Sequence, residues 1–528
     1  MKILHLQKTK PIQDTINDLK EWIKDKELVG LDTEYVPNTY TLLLIQIGDK
    51  DTGFVLEPSV ELLEALKPIL EDESKVFIGH NIKADYKILK ANGVILAKVW
   101  DTMVMEILLN GGGTDLKYSL DMLSNRYLGV FMDKAVRKTF LKANSPITPE
   151  QVQYAANDLL PLHEIRLKQL ERLKELDLVY LSNVENRAVL ATGDMELNGM
   201  KLDKDKLTIL IKRIETEKEE AFKALDKIVE EDQRLSKFVP KETQGNLFGH
   251  LERKVVVDYN SPAQIVSVLQ HLGLSLTSSN ENELIKFENN IPFIKQLLVY
   301  REKAKALSTY GANLFEFVAE DGRVHTSFWP MVSTGRFSSS KPNLQNIPKE
   351  GEYRSIFVAE PGYKIITGDY SGCELRFIAE GSKDPVFIKT FQNGGDLHGE
   401  VAMKLFNVPF DKIKDPLTLL RGKTPRDVAK TINFGLAYGM SEYKLAADLM
   451  IPVEDARAII RDYFRAFPRI KTFLDRLGRL AVSRGYIRTF PPTGRIRYFK
   501  DYNDPRITEK RKGEIDREGR NAPMQGRR

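Results

Sequence analysis

Four acidic residues in the first third of the chain have types and spacings that suit metal chemistry. Asp32 and Glu34 stand two positions apart at the end of an apolar run, and alternate residues of a strand point to one face. Asp85 lies in the first turn of a predicted helix, and Asp158 follows Tyr154 by four positions, which puts that pair on one helical face. Carboxylates gathered in this way repel one another, and Mg²⁺ relieves the repulsion.

Two divalent ions held by such acids activate a water and stabilise a leaving oxygen at phosphorus. The set therefore predicts hydrolysis of a phosphate ester. Each acid taken alone is also compatible with an ordinary exposed carboxylate, so only the joint pattern predicts a site.

A second group of residues lies in the last third of the chain. Asp369 ends an apolar run over residues 363–369, where it is either a catalytic carboxylate or an ordinary strand end. A later predicted helix carries a slowly winding stripe at steps of four residues. The stripe consists of Arg426, Lys430, Phe434 and Tyr438. Two cations and two rings suit a triphosphate and a stacked base, and an ordinary helix that runs from surface to core has the same pattern.

The elements around these residues predict several domains. In the first region, strands are predicted at 29–36, 42–47, 53–56 and 75–78, with helices at 82–91 and 149–176. Later predictions are helices at 202–230, from 262, at 291–307 and at 424–436, an irregular stretch at 232–257, a strand at 363–369 and a hairpin at 485–498. We expect an α/β domain over 1–180, a mainly helical region over 181–325 and an α+β region over 326–528.

Composition excludes several classes of protein. The chain has 528 residues, of which 42% are hydrophobic and 29% charged, so a disordered or collagen-like chain is excluded. A single cysteine, Cys373, excludes a disulfide within the chain and a multi-cysteine zinc site. No apolar run reaches the ~18 residues of a membrane span, and no secretory signal is visible. We expect a cytoplasmic protein, bacterial or viral, with no membrane partner.

The net charge of +5 is concentrated near the C-terminus. In residues 495–528, Lys and Arg clearly outnumber Asp and Glu. Such a surplus suits a polyanionic partner, or else forms a solvated basic tail.

The acids of the first region resemble a known pattern. Asp-x-Glu at 32–34, Asn81-x-x-x-Asp85 and Tyr154-x-x-x-Asp158 resemble the DEDD-type 3′→5′ exonucleases of the tyrosine subclass, which have an RNase H-like fold. The resemblance implies that Asp32, Glu34, Asp85 and Asp158 bind two metals and that Tyr154 orients the attacking water. It also implies a contact of Asn81 with single-stranded DNA.

The second group resembles the family A (polymerase I-type) DNA polymerases. Residues 369–376 resemble motif A, and residues 426–439 resemble motif B on the fingers helix. Further matches are residues 300–310, 334–339, 342–348, 396–398 and 521–526. The resemblance runs from about 180 to the end of the chain and implies a right-hand polymerase with helical thumb, fingers and palm.

This second resemblance implies roles for individual residues. Asp369 and the carbonyl of Tyr370 would bind the catalytic metals, and Arg426, Lys430 and His398 would grip the incoming triphosphate. Phe434 would pack on the sugar and base, Tyr438 would lie under the template base, and Glu374 would reject a 2′-hydroxyl. Arg336, Asn346 and Gln525 would contact DNA, and Arg336 and Gln525 would read minor-groove acceptors that base pairs share.

The resemblance also implies a second palm carboxylate, in a His-Asp-Glu motif that follows Asn521–Gly526 in the family; it is not found in this sequence. The expectation is an incomplete palm, with three explanations: a second chain that supplies the missing carboxylate, an interrupted reading frame, or loss of synthesis. We expect template-directed DNA synthesis with 3′→5′ proofreading. The expected metals are two Mg²⁺ per site, with Mn²⁺ as the alternative ion. The expected partners are primer-template DNA, single-stranded 3′ ends and deoxynucleoside triphosphates. A stand-alone 3′→5′ exonuclease with a DNA-holding arm and a non-catalytic DNA-binding subunit are the other readings.

Overall fold

A computed structural model describes residues 1–8, 11–36, 39–112, 116–140, 146–239, 255–288, 290–348, 352–416, 423–437 and 439–526. The first part of the chain is built on one mixed sheet. Its strands are β1 Lys2–Leu6, β2 Leu28–Tyr35, β3 Leu42–Gly48, β4 Thr52–Leu56, β5 Val76–Gly79 and β6 Val99–Asp101. They lie in the order β1-β4-β3-β2-β5-β6, so β2 is internal, antiparallel to β3 and parallel to β5.

Helices cover this sheet. They are α1 Gln13–Ile23, α2 Val60–Leu70, α3 Lys83–Ala91, α4 Thr102–Leu109, α5 Leu120–Leu128, α6 Pro149–Asn157, α7 Leu162–Glu175 and α8 Val179–Asn198. Apolar side chains of the strands and helices form one core, which includes fully buried Val29 and Leu31 of β2. Burial of these residues fixes the register of β2 and therefore the face on which Asp32 and Glu34 lie.

The remainder of the described chain is mainly helical. Its helices are α9 Lys204–Glu231, α10 Pro262–His271, α11 Glu281–Leu284, α12 Pro292–Tyr310, α13 Cys373–Ser382, α14 Pro385–Gln392, α15 Leu397–Phe406, α16 Pro425–Ala437, α17 Glu442–Leu449, α18 Val453–Ala466, α19 Pro468–Arg484 and α20 Glu509–Gln525. Short strands are β7 Met200–Lys201, β8 Arg323–Val324, β9 Ser327–Trp329, β10 Ser338–Ser340, β11 Tyr486–Arg488 and β12 Ile496–Tyr498. None of these helices is both long and apolar enough to cross a membrane, as far as the described residues extend.

The predicted elements agree with most of these bounds. The strands β2 to β5, the long helix α9 and the hairpin of β11 and β12 are as expected. The predicted helix over 149–176 is two helices, because Pro161 has no N–H with which to continue the backbone ladder. Part of the stretch 232–257 lies outside the described residues, and a 3₁₀ helix, Gln233–Phe238, begins it. The domain boundaries at 180 and 325 stay predictions.

The predicted strand over 363–369 is wrong. Residues 361–370 are all exposed and form neither strand nor helix, with Ile366 at 93% exposure. A strand is stabilised by hydrogen bonds to a neighbouring strand, and no strand in the described residues pairs with this segment. The apolar residues of the run therefore lack the neighbour that would make them a strand.

Candidate functional site

Three of the predicted acids converge on one face of the sheet. Asp32 and Glu34 occupy alternate positions on β2, and Asp158 is the C-terminal cap residue of α6. One carboxylate oxygen from each lies within 4.8 Å of the others. Thr148 and Gln151 form a reciprocal capping box at the start of α6, which fixes where that helix begins.

The fourth acid, Asp85, lies outside this group of three. Its Oδ1 accepts hydrogen bonds from the backbone nitrogen and the hydroxyl of Thr33, at 2.9 and 2.6 Å. The charge of Asp85 nevertheless acts on the cluster. Burial is the main cause of the raised pKa of Asp32, and the charge of Asp85 is the next largest. The structure thus gathers three of the four acids and holds the fourth beside them through Thr33.

The turn before Asp85 is also fixed by polar contacts. Asn81 adopts a left-handed backbone conformation, with φ of 57°. Its backbone nitrogen donates to Asp101 Oδ1 at 3.0 Å. Asp101 also accepts from Met103 and Val104 at the start of α4. The predicted contact of Asn81 with DNA stays a prediction.

Burial and mutual repulsion disfavour the charged forms of these acids. Burial raises the pKa of Glu34 to about 8 and that of Asp85 to about 7. It raises the pKa of Asp32 well above its usual value, and the charges of Asp85, Asp158 and Glu34 add to that effect. A buried set of oxygen ligands that resists ionisation on its own fits a hard divalent cation such as Mg²⁺.

Two cations that the sequence did not single out act on the cluster, one in contact and one at longer range. Lys134 Nζ is 3.0 Å from Asp158 Oδ1 and lies over the ring of Tyr154, 5.5 Å from its centroid. Arg137 lowers the pKa of Glu34, against the larger effect of burial. Nothing in the spacing of these residues distinguishes them from surface cations, so the sequence carried no signal for them.

Tyr154 is held by aromatic and charged neighbours. Its ring is 6.1 Å from that of Phe140, and the side chain is 6% exposed. Burial and the nearby carboxylates raise the pKa of its hydroxyl. The hydroxyl therefore stays protonated, and its hydrogen bond to Asp158 lowers the pKa of that acid, against the larger effect of burial.

A buried amide lies opposite Asp32. Gln46 pairs with Asp32 across β2 and β3, and its side chain is completely buried. Neither its amide nitrogen nor its amide oxygen has a hydrogen-bond partner among the described residues. Buried amides are normally satisfied by protein or water, so a water or another polar ligand is expected at this position.

An apolar cavity of about 730 Å³ opens beside the acids. Tyr154 and Asp158 form part of its wall, and Val130, Phe131 and Leu160 supply exposed apolar side chains. The cavity therefore joins a hydrophobic surface to the carboxylate cluster.

The stripe on α16 lies partly in the described residues. Arg426 contacts Asp396 twice, with Nε to Oδ2 at 2.5 Å and Nη2 to Oδ1 at 3.2 Å. Lys430 is exposed, and Phe434 lies 5.5 Å from the ring of His398. Tyr438 lies outside the described residues.

His398 is positioned by the neighbouring helix. Its Nδ1 is 3.0 Å from Asn433 Nδ2, and the hydroxyl of Tyr463 donates to Asn433 Oδ1 at 3.1 Å. Burial lowers the pKa of His398, which favours the neutral form of its ring.

The residues of motif A are split between solvent and the interior. Asp369 and Tyr370 are exposed, whereas Glu374 is 5% exposed and forms an ion pair with Arg336 Nη2 at 3.1 Å. Asn346 is exposed and its backbone oxygen accepts from Tyr310, and Gln525 is half-buried on α20. Their predicted roles toward nucleotide and DNA stay predictions.

Known proteins share both parts of this arrangement. Residues 229–527 match the model for DNA polymerase family A, and residues 10–174 match that for a 3′-5′ exonuclease. The chain is 32% identical to DNA polymerase I of Borreliella burgdorferi, over 94% of the chain and 54% of that protein. It is 30% identical to DNA polymerase I of Aquifex aeolicus, over 92% of the chain and 83% of that protein.

The chain spans about half the length of several curated relatives, among them DNA polymerase I of Borreliella burgdorferi. A solved structure, the POL domain of Pol1 from M. smegmatis in complex with DNA primer-template and dNTP, is also similar. The TM-score is 0.74 at 26% identity, over 96% of this chain and 85% of that one.

Proposed function

The chain belongs to the family A DNA polymerases, and from that membership we propose that it removes nucleotides from DNA 3′ ends as the proofreading part of template-directed synthesis. The observation that carries the proposal is the convergence of Asp32, Glu34 and Asp158 within 4.8 Å. This cluster lies in the region that matches a 3′-5′ exonuclease. Buried carboxylates of raised pKa are suited to holding divalent ions rather than to remaining charged alone.

Each residue of the cluster has a proposed role. Two Mg²⁺ would be bound by Asp32, Glu34 and Asp158, with Mn²⁺ as the alternative ion. Asp85, which Thr33 holds beside the other three through hydrogen bonds, would be the fourth ligand. When bound, the metals supply Lewis acidity at phosphorus and activate a water. The hydroxyl of Tyr154 stays protonated and orients that water by donating or accepting a hydrogen bond.

We propose that the substrate is a single-stranded 3′ end. The cavity beside Tyr154 offers an apolar wall with Phe131 84% exposed. Bases stack on such rings without regard to sequence, which suits an activity that must accept every terminal nucleotide. Asn81, on the turn before α3, would contact the same strand.

We assign nucleotide binding to the second part of the chain. Arg426, Lys430 and His398 would contact the triphosphate, and Phe434 would pack on the nucleoside, because α15 and α16 bring these side chains to one side. Positioning and charge neutralisation are the main demands of phosphoryl transfer.

For the sugar and the primer-template duplex, the proposed contacts are those of Glu374, Arg336, Asn346 and Gln525.

We further propose that synthesis needs a polypeptide segment that supplies a carboxylate beside Asp369. The described residues contain one group of three potential metal ligands, and Asp369 is not in it. Residues 361–370 are exposed, with Tyr363 at 77%, which leaves the segment that carries Asp369 accessible to a further polypeptide. We place the activity in a bacterial cytoplasm or in the cytoplasm of an infected cell, in line with the bacterial relatives.

One assay tests both proposals. The polypeptide of the printed sequence is mixed with a 5′-labelled primer on a longer template in Mg²⁺, with and without deoxynucleotides. Shortening of the primer in both reactions is expected. A primer that stays intact without deoxynucleotides would overturn the exonuclease proposal, and extension with deoxynucleotides would overturn the need for a further segment at Asp369.

A further inference from the structure

The ammonium group of Lys134 forms an ion pair with one acid of the cluster. Its Nζ is 3.0 Å from Asp158 Oδ1, and Asp158 is one of the three acids whose oxygens lie within 4.8 Å. The side chain of Lys134 is 28% exposed, against 10% for Asp158, so the pair lies at the mouth of the cluster.

The segment that carries Lys134 has a local turn at Asp133 and is anchored to α6 at its far end. Asp133 Oδ1 accepts a hydrogen bond from the backbone nitrogen of Ala135 at 2.8 Å. Gln151 Nε2, at the start of α6, donates to Thr139 Oγ1 at 2.9 Å. Phe140 is buried and its ring packs near Tyr154. The backbone around Lys134 is therefore fixed relative to α6, the helix that carries Asp158.

A second lysine on the same segment provides a contrast. Lys138 lies on the 3₁₀ helix Val136–Thr139, is exposed, and makes no ion pair in the described part of the chain. Proximity in sequence is therefore not enough to bring a lysine to the acids, and the contact of Lys134 is specific to its position.

The charge of Lys134 acts on more than one acid. Burial raises the pKa of Asp158, and Lys134 is the largest effect that opposes it. Lys134 also lowers the pKa of Asp32 and of Glu34, against the larger effect of burial. One ammonium group thus offsets part of the repulsion among three carboxylates, which is also what a divalent ion does.

We propose that Lys134 is a resident cation that neutralises Asp158 in the metal-free protein and competes with the divalent ion for that carboxylate. The inference rests on the proposed exonuclease function for the identity of the site. For the divalent ion to bind Asp158 Oδ1, the Lys134 ammonium has to move away, because the ion and the ammonium would otherwise repel each other at the same oxygen. Lys134 is a positioning residue that sets how much metal the cluster holds.

The test is direct binding of Mn²⁺, followed through the electron paramagnetic resonance signal of the free aqueous ion. Sites of the cluster are identified as those lost in the full-length double variant Asp32→Ala with Glu34→Ala. Lys134→Met keeps an apolar stem and removes the charge, and Lys138→Met is the matched control. We expect Mn²⁺ to bind the cluster about three- to fivefold more tightly in Lys134→Met, the effect of one partly exposed ion pair.

Two further variants keep the test decisive. Lys134→Arg retains the charge and is expected to bind Mn²⁺ as the parent does. If Lys134→Met does not fold by circular dichroism, Lys134→Gln is measured in its place. An affinity that is unchanged or weaker in the neutral variant overturns the inference, because a purely structural lysine gives that result.

Failure of this inference and failure of the proposed function are separable. If the parent degrades no 3′ ends but the neutral variant binds Mn²⁺ more tightly, the exonuclease proposal fails and the competition stands. If the parent degrades DNA and the affinity does not rise, only the role of Lys134 is wrong.

Discussion

Thr33 and Asp85 are joined by two hydrogen bonds to one carboxylate oxygen, from the backbone nitrogen and from the hydroxyl of Thr33. Thr33 stands between Asp32 and Glu34 on β2. The bonds therefore tie α3, which carries Asp85, to the strand that carries two of the converging acids. The acid that lies outside the group of three is fixed beside it in this way.

Replacing Thr33 with valine removes the hydroxyl and keeps the shape of the side chain. We expect kcat/KM for removal of 3′ nucleotides to fall roughly 10- to 100-fold, the range for partners that orient metal ligands. The free energy of unfolding should fall by about 1 kcal/mol, the value of one hydrogen bond. Thr33→Ser, which retains the hydroxyl, is the control and should stay near the parent. Parent-like kinetics in Thr33→Val would show that Asp85 needs no such support.

The double variant Asp32→Ala with Glu34→Ala tests the metal cluster itself. It removes two of the three converging carboxylates, so we expect degradation to be lost, by more than the roughly 100-fold that changes in the partners of metal ligands cost. Binding of a primer-template duplex, measured by fluorescence anisotropy, should be unchanged. Asp18→Ala, an exposed acid on α1, serves as the control. Degradation that survives in the double variant would make the metal assignment wrong.

Replacing the buried Gln46 is expected to increase stability, whereas replacing Thr33 is expected to decrease it. An unpaired buried amide costs about 1–3 kcal/mol, and methionine fills nearly the same volume without polar atoms. We expect Gln46→Met to raise the free energy of unfolding in EDTA by about 1 kcal/mol. Chemical denaturation in EDTA measures this change, and a loss of stability would refute the explanation.

The site in the first region was largely predictable because its residues follow local rules. Alternation along a strand places Asp32 and Glu34 on one face, and a spacing of four relates Tyr154 to Asp158 on α6. The contact of Lys134 with Asp158 was not predictable, since it depends on how the segment before α6 folds back.

The errors in the fold also have local causes. The strands β1 and β6 were not predicted, and β6 has only three residues, too few for an alternating pattern to show. The strand expected over residues 363–369 has the right composition, but a strand also needs a neighbour, and composition does not reveal one. The contacts of Asp85 with Thr33 required the packing of α3 on the sheet, which no spacing in the sequence encodes.

Glu196 on α8 couples the helix of Asp85 to the second part of the chain. Its side chain is 2% exposed and contacts Lys83 Nζ and Lys87 Nζ of α3, each at 2.6 Å. It also accepts a hydrogen bond from the backbone nitrogen of Phe328, on β9, at 2.7 Å. Removal of this carboxylate leaves two lysines of α3 without their shared partner and one backbone donor unpaired.

We therefore expect Glu196→Ala to lower the free energy of unfolding by about 3 kcal/mol, at the low end for a broken buried pair because the lysines are partly exposed. We also expect exonuclease kcat to fall, since α3 carries Asp85 and is no longer held at Glu196. Chemical denaturation and degradation of a labelled single strand measure the two effects, with exposed Glu171→Ala as the control. Glu196→Gln keeps one acceptor for Phe328 and should lose less stability than alanine. A stable Glu196→Ala variant with parent-like kcat would show that Asp85 is positioned by Thr33 alone.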